Sequence, residues 1–399
     1  MERLFRTKAI RLESGERFPL LVYRQTEVPV MDVIDYSLAY HRTISITAGK
    51  ARVETIGYLL EWTNERQIDL DERIGTGDLL AIAEVEDLAG YLRRSRRKTI
   101  EVGGEQVPAA ILGKTHANRI DWIIAYLQWR VDRVAQAMSI GDPRLRNFTE
   151  RIQRIGEQLG NLKGKGGGKV RLGLTEEQQF RLFQIVRPDC PENPFHQETR
   201  HRNYLLFLML WELGLRRAEP LVLKGKHVQS TGTRPYIIIE PHPDDPDEKR
   251  KEPPLVKTAG RTLAISRVLA VAIHEYITVY RSKVPGAKKN PYIVLDSTSG
   301  DSLSLYSVYD MFVVLRNRFP EVFPPDFSPH ILRHTWNDRF KKAAKAANLN
   351  GPFAELINNY LMGWSKTSKQ SNNYSRRQIE EAASVILVNL QGQLVEALG

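Results

Sequence analysis

The chain has 399 residues, 42% of them hydrophobic, with 58 Lys and Arg against 47 Asp and Glu and a net charge of +11. That length and apolar content support two or three globular domains and exclude a disordered or fibrous chain, and the positive balance favours a polyanionic partner such as nucleic acid. A single cysteine, Cys190, excludes a disulfide framework and a multi-cysteine zinc site, and neither a signal peptide nor a membrane-length apolar run is visible, which points to a reducing cytoplasm.

Residues 3–24 alternate like a short hairpin around Glu13-Ser-Gly-Glu16. The pattern then turns helical: residues 50–65 place Val53, Ile56, Leu59, Leu60 and Thr63 on one face, and Leu79–Arg94 and Asn118–Ala137 are two further periodic runs. Between those two lies Arg93-Arg-Ser-Arg-Arg-Lys98, taken as a helix end. Arg93, Arg94, Arg96 and Arg97 there are candidates for phosphate contact, the alternative being a solvated face. Residues 159–173, LGNLKGKGGGKVRLG, form a flexible basic linker whose Lys163, Lys165 and Lys169 are suited to lie along a phosphate backbone. The expected organisation is a hairpin extension over 1–28, a helical domain over 29–158, the linker over 159–173 and a second domain over 174–399.

Downstream, Thr175-Glu-Glu-Gln178 has capping-box spacing and opens a helix. A strongly apolar helix over 204–213 stops at Gly214. Residues 235–240 and the pair 253–258 and 261–266 read as short strands, the last two joined by a turn at Ala259-Gly260. Helices follow at 267–282, 304–318, 329–347, 353–362 and 376–397. The fold class is therefore mainly α with a small antiparallel β-sheet. The acidic stretch Pro241-His-Pro-Asp-Asp-Pro-Asp-Glu248 looks inserted and should face away from a polyanion. There is no Walker loop, no GxGxxG after a strand and no acidic constellation suited to two metals.

The chemistry concentrates in Ser328-Pro-His-Ile-Leu-Arg-His-Thr335. Ser328 suits an N-cap and Pro329 a first helical position, so a helix starts here. His330 and Arg333, one turn apart, share a face beside the free N–H groups of that terminus, an arrangement suited to a phosphate. Tyr374, in Ser-Asn-Asn-Tyr-Ser just before the last helix, is placed to attack it. Singly, each residue has a plain structural reading: His330 as a cap, Trp364 as core, Lys257 as an exposed lysine. Their combination favours phosphoryl transfer.

The C-terminal half resembles the tyrosine recombinases, the lambda-integrase or Cre-like phage integrase family. The resemblance rests on Gly214-Leu-Arg-Arg-Ala-Glu219, on Val256-Lys257-Thr-Ala-Gly-Arg261, on His330-Ile-Leu-Arg-His-Thr335, on Leu361-Met-Gly-Trp364 and on Tyr374. Upstream, Thr115-His-Ala-Asn-Arg119 leading to Trp129 is similar to the last helix of that family's SAM-like core-binding domain, which with the catalytic domain clamps DNA. The resemblance implies a set of roles. Arg216 and Arg333 would grip the phosphate, and His330 would donate to it or take the tyrosine proton. Lys257, on a hairpin, would protonate the departing 5′ oxygen. Trp364, where the family commonly has His, would donate through its indole. Tyr374 would form a 3′-phosphotyrosyl intermediate without metal or other cofactor. Glu219 would orient Arg216 or a neighbouring base, and His334 would support from behind. The interval from Trp364 to Tyr374 is ten residues, one longer than the family pattern.

The implied activity is site-specific recombination of double-stranded DNA through a Holliday junction, for integration or transposition of a mobile element. A homo-tetramer on two DNA sites is implied, with accessory or excision factors as possible partners and no membrane. The expected setting is the cytoplasm, in association with the nucleoid, for a chain encoded by a bacterium, a phage or a mobile element. The C-terminal stripe of Ile379, Ala383, Ile386, Leu387, Leu390, Leu394 and Leu398 fits either packing on its own domain or, the preferred expectation, exchange onto a neighbouring protomer. The alternatives are a type IB topoisomerase-like enzyme acting on one duplex, and a DNA-binding regulator that never forms a covalent adduct.

Overall fold

The computed structural model describes residues 3–42, 44–102, 105–139, 141–142, 144–166, 172–242, 244–256, 258–349, 351–364 and 375–398, the side chains of 97, 102 and 393–398 excepted. The chain divides into two compact units, Met1–Lys169 and Val170–Gly399. Among the described residues no helix is long and apolar enough to cross a membrane.

The first unit opens with the antiparallel pair β1 (Phe5–Arg11) and β2 (Arg17–Tyr23), in register from Phe5↔Tyr23 to Arg11↔Arg17. The hairpin is no free extension: Leu21 and Phe5 pack into the same core as the helices. Helix α1 (Met31–Tyr40) leads to α2 (Ile46–Glu65), whose cap Ser45 accepts from the Ala48 N–H. On α2, Val53, Ile56, Leu59 and Thr63 are buried, as the periodicity predicts, with Trp62 beside them. Helices α3 (Leu70–Thr76), α4 (Ile82–Leu92), α5 (Gly113–Gln136) and α6 (Arg144–Asn161) complete the bundle. The basic run departs from expectation. It does begin at a helix end, with Arg93 as the C-cap of α4, but continues as strand β3 (Arg94–Val102), paired with β4 (Glu105–Ala110) across an irregularity between Arg94 and Thr99.

The second unit is built around α8 (Gln197–Leu213), in which every residue from Leu205 to Leu213 is buried. A helix apolar on all sides needs neighbours on all sides. It receives them from α7 (Glu176–Val186), α9 (Arg267–Glu275), α10 (Leu305–Arg318), α11 (Pro329–Ala346), α12 (Gly351–Met362) and α13 (Arg376–Leu398). The capping box at the start of α7 forms as its spacing predicts: Thr175 Oγ1 accepts from the Gln178 N–H and Gln178 Oε1 from the Thr175 N–H. The small antiparallel sheet runs β5 (Val228–Gln229), β6 (Tyr236–Ile239), β7 (Arg261–Ala264). Here a second expectation fails, because residues 253–256 form no strand and β7 pairs with β6 instead. The reason is visible in the inserted acidic stretch. Asp245 and Asp247 both accept from Lys224 Nζ at 2.7 Å, and Glu248 pairs with Arg250, which also donates to Leu303 O at 2.7 Å. The segment is thereby drawn back onto its domain and away from the ladder.

The last helix also departs from the preferred expectation. Ile379, Ala383, Ile386, Leu387 and Leu390 of α13 are buried in the core of their own domain, beside α11, α12 and β7. The other reading of the stripe therefore describes this structure through Leu390; the side chains of Leu394 and Leu398 lie outside the described residues.

Candidate active site

Two helix C-termini build the site. Helix α8 stops at Gly214, which adopts φ +59°, and a Cβ there would stand 2.7 Å from the Trp336 ring, so only glycine fits. The turn buries Leu215 and brings Arg216 out beside it. Helix α12 ends in a Schellman turn at Gly363 (φ +63°): the Gly363 N–H donates to Tyr360 O at 3.0 Å and the Trp364 N–H to Asn359 O at 2.9 Å. That pattern leaves the carbonyls of Leu361 and Met362 without helical partners. Three arginines take them. Arg261 Nε donates to Leu361 O at 2.8 Å, while Arg216 Nη1 (3.2 Å) and Arg333 Nη2 (2.9 Å) share Met362 O. Arg333 Nη1 also donates to Gly214 O at 2.6 Å. The negative ends of two helix dipoles thus orient the guanidinia that the Gly-Leu-Arg and His-x-x-Arg motifs supply.

Behind them sits Glu219, fully buried. Its carboxylate accepts from the Arg216 N–H (2.9 Å), the Thr258 hydroxyl (2.8 Å) and both Nη atoms of Arg261 (3.1 and 3.0 Å). Burial alone would raise its pKa, but the Arg261 charge and these hydrogen bonds outweigh burial and hold it below the usual carboxylate range. Glu219 therefore positions Arg216 through the main chain, since the Arg216 guanidinium stays 4.0 Å from the carboxylate. Burial, reinforced by the Arg216 charge, pushes Arg333 down to about 9. Burial, with Arg261 adding to it, also lowers Arg216. Three guanidinia around one carboxylate leave two positive charges partly out of water, an environment that favours an incoming anion.

Helix α11 brings in the remaining motif residues. Its N-cap is Ser328, as expected, but the hydroxyl makes no cap bond; the Ser328 carbonyl instead accepts from the Ile331 N–H at 2.9 Å. His330 is exposed on the first turn, edge-on to His334 at 4.5 Å between ring centroids. Trp336, fully buried, donates from Nε1 to Glu212 O at 2.9 Å, and Thr335 Oγ1 accepts from the Leu174 N–H at 2.8 Å, which lock α11 against α8 and the start of α7. Trp364 is 41% exposed, with its ring centroid 5.9 Å from the Arg333 guanidinium carbon. Lys257 and Tyr374 lie outside the described residues. Their C-terminal neighbours do not: Thr258 belongs to the Glu219 network, and Ser375 caps α13, its hydroxyl accepting from the Gln378 N–H at 3.2 Å. Tyr360, the nearby tyrosine, is a packing residue whose hydroxyl donates to Thr262 O at 3.0 Å.

Arg216, Arg333, Glu219 and Trp364 are therefore brought together, with His330 and His334 on the adjoining helix turn. Sequence reasoning passed over Arg261, Thr258 and the Met362 carbonyl. Arg261 stood inside the Lys-Thr-Ala-Gly-Arg motif, but nothing in its spacing marked it as the buried partner of Glu219.

The candidates for DNA contact separate by burial. Arg93 and Arg94 are exposed, as is Lys98 at the end of the same run, which was not among the candidates. Arg96 instead turns inward: it pairs with Glu61, lies 4.3 Å from the Tyr58 ring centroid and donates to the Tyr91 hydroxyl at 2.9 Å. Lys163 pairs with Asp121 at 2.6 Å, the Gly164 N–H donates to His116 Nδ1 at 3.1 Å, and Lys165 is exposed. The Arg97 side chain and Lys169 lie outside the described residues. A metal is poorly served by the cluster His227, Glu240 and His242, whose donor atoms gather within 4.8 Å. The Lys224 N–H donates to His227 Nδ1 at 3.1 Å, so the neutral ring carries its proton on Nε2, the nitrogen nearest Glu240 and the one a metal would need.

No protein-family model and no curated protein matches the chain. Solved structures do. The Tn1549 transposon integrase in complex with circular intermediate DNA matches with a TM-score of 0.51 and 14% identity over 87% of this chain and 94% of that one. The same integrase with transposon right-end DNA gives a TM-score of 0.50 and 14% identity, over 88% and 98%. Likeness at this identity is one of backbone architecture, and it agrees with the helical units and the small sheet described above. The chain thus has the fold of the Tn1549 transposon integrase.

Proposed function

We propose that the chain is a tyrosine-type site-specific DNA recombinase that cuts and rejoins duplex DNA for integration or transposition of a mobile element. The observation that carries this reading is the convergence of Arg216 and Arg333 on the Met362 carbonyl, both depressed by burial and under-neutralised by the single carboxylate of Glu219. Such a pair is preorganised for the two non-bridging oxygens of one phosphodiester, whose charge grows in the transition state. The integrase of the same fold was solved with DNA bound, which supports the substrate class.

In this reading the Tyr374 hydroxyl attacks phosphorus and His330 accepts its proton. The P–O5′ bond breaks, and Lys257 delivers a proton to the leaving 5′ oxygen. Arg216, Arg333 and the Trp364 indole N–H hold the phosphorane oxygens. The 3′-phosphotyrosyl bond conserves the energy needed for rejoining when a 5′ hydroxyl of a second duplex attacks. Four protomers on two sites would pass through a Holliday junction, with exposed Arg93, Arg94, Lys98 and Lys165 near phosphates.

The test is covalent trapping in EDTA on nicked duplexes, comparing the natural chain with Tyr374→Phe. An adduct from the natural chain alone supports the proposal. Tight binding without an adduct from either, on DNA known to carry the site, returns the chain to the class of DNA-binding regulators.

A further inference from the structure

We infer that Arg261 is a positioning residue for the anion grip of Arg216 and Arg333: by engaging both oxygens of Glu219, it lets that carboxylate hold the Arg216 main chain without neutralising the Arg216 side chain. This rests on the function proposed above. The Arg261 side chain is 1% exposed, too deep to touch a substrate. Its backbone is fixed by strand pairing, opposite Ile239 at the start of β7. From there Nη1 donates to Glu219 Oε1 at 3.1 Å and Nη2 to Oε2 at 3.0 Å, while Nε donates to Leu361 O at 2.8 Å. Nη1 also donates to the Thr258 hydroxyl at 3.1 Å. A planar fork of donors can meet both carboxylate oxygens and a carbonyl behind it at once.

Without that partner the carboxylate would be drawn elsewhere. Arg216 and Glu219 stand three residues apart, and Arg216 Nη1 is 4.0 Å from Oε1. Opposite charges so close, and partly out of water, attract strongly. An ion pair there would turn the Arg216 fork toward Glu219 and cancel its charge. The observed arrangement avoids this: Oε2 accepts from the Arg216 N–H at 2.9 Å, and the Arg216 side chain, 34% exposed, donates to Met362 O instead. Burial alone would drive Glu219 to its neutral form, and the Arg261 charge is the largest of the influences that keep it ionised. Among the described residues of this cluster, Arg261 and Glu219 thus cancel each other, and the charges of Arg216 and Arg333 remain for the ligand.

The test uses Arg261→Gln, which keeps a donor but no charge, and the double variant Arg261→Gln with Glu219→Gln, which strands no carboxylate. The probe is inorganic sulfate, doubly charged throughout the range, titrated at constant ionic strength. Binding is read from the fluorine resonance of Trp364 in protein carrying fluorotryptophan, a ring whose centroid stands 5.9 Å from the Arg333 guanidinium carbon. In Arg261→Gln, Glu219 is neutral at low pH and ionises as pH rises. Its sulfate affinity is therefore expected within about threefold of the natural chain near pH 5 and roughly tenfold weaker near pH 9. The double variant is expected to stay within about threefold at every pH. Titrations of His330 and His334 are common to these proteins and drop out of the ratio. A ratio for Arg261→Gln that does not change with pH, or a double variant weakened roughly tenfold, overturns the inference; the second outcome decides even where Arg261→Gln does not keep its fold. No sulfate binding by the natural chain, or binding that Arg333→Gln leaves unchanged, removes the proposed anion site and the inference with it. Binding lost in Arg333→Gln leaves that site standing whichever way the ratio turns.

Discussion

A guanidinium is useful at this site because it can satisfy protein and ligand together. Arg333 uses Nη1 and Nη2 on two carbonyls from different helices, which fixes its plane before any substrate arrives. Lysine, a single ammonium, cannot span both carbonyls and present a flat fork to a phosphate. Arg333→Lys is therefore expected to reduce adduct formation roughly 10²- to 10³-fold in single-turnover assays while leaving the fold intact. A second residue-scale prediction concerns Glu212, fully buried two residues before the Gly214 stop, with its acid held by the Ser266 hydroxyl at 2.9 Å. Burial raises its pKa to about 7 from 4.5. Below the unfolded value both states are protonated and the full stability is present. As pH climbs toward 7 the unfolded chain releases a proton that the folded chain keeps, so stability falls, and above 7 the loss is complete. Glu212→Gln removes the titration, and should be more stable than the natural chain at pH 8 by on the order of 3 kcal/mol but equal to it near pH 4. Urea denaturation at both pH values checks this.

At the scale of single elements, the C-terminus of α12 and the β3–β4 hairpin do different work. The Schellman turn of α12 depends on Gly363 at φ +63°, and any side chain there meets Thr258 and Arg261 at under 3 Å. Gly363→Ala should cost about 1–3 kcal/mol from backbone strain alone and more from the clash, read as a lowered denaturation midpoint, and should weaken adduct formation because Met362 O moves with it. In the hairpin, outward Arg93, Arg94 and Lys98 are free to meet phosphates, whereas Arg96 is a pin between β3 and α2. Changing the outward three to Gln together should flatten the log–log salt dependence of DNA binding by about 2.7, near 0.9 per lost phosphate contact. Arg96→Gln should leave that slope alone and lower the melting temperature of the first unit; a slope change from Arg96→Gln would reverse the assignment.

For the whole molecule, two cores mean two separately stabilised bodies. Helix α13 belongs to the second through Leu387 and Leu390, both fully buried. Leu387→Ala is expected to cost about 2–5 kcal/mol in the second unit. Native-state hydrogen exchange should then show lost protection in α8, α11 and α13 and unchanged protection in α2 and α5.

Much of this was legible in the sequence, for definite reasons. Periodicity marked α2, α5, α8, α10, α11 and α13 because helical burial repeats every turn. Gly214 and the Thr175 box marked their termini because capping is local chemistry. The ordered Arg, Lys, His-x-x-Arg, Gly-Trp and Tyr motifs named the set proposed to bind a phosphate because each residue type is suited to one task in phosphoryl transfer. Decisions made between distant segments were beyond it. That Arg96 faces inward depends on Glu61 and Tyr58, some 35 positions earlier in the chain. The acidic stretch binds Lys224 and so pulls residues 253–256 off the sheet, and the last helix finds its own domain as a partner for its apolar stripe. Above all, Arg261 became the partner of Glu219, and Met362 the shared acceptor of Arg216 and Arg333, only when α8, β7 and α12 met. Local patterns determine elements and the residue types they display; which buried cation takes which carbonyl is settled by burial itself, since a polar group taken out of water is costly to leave without a partner.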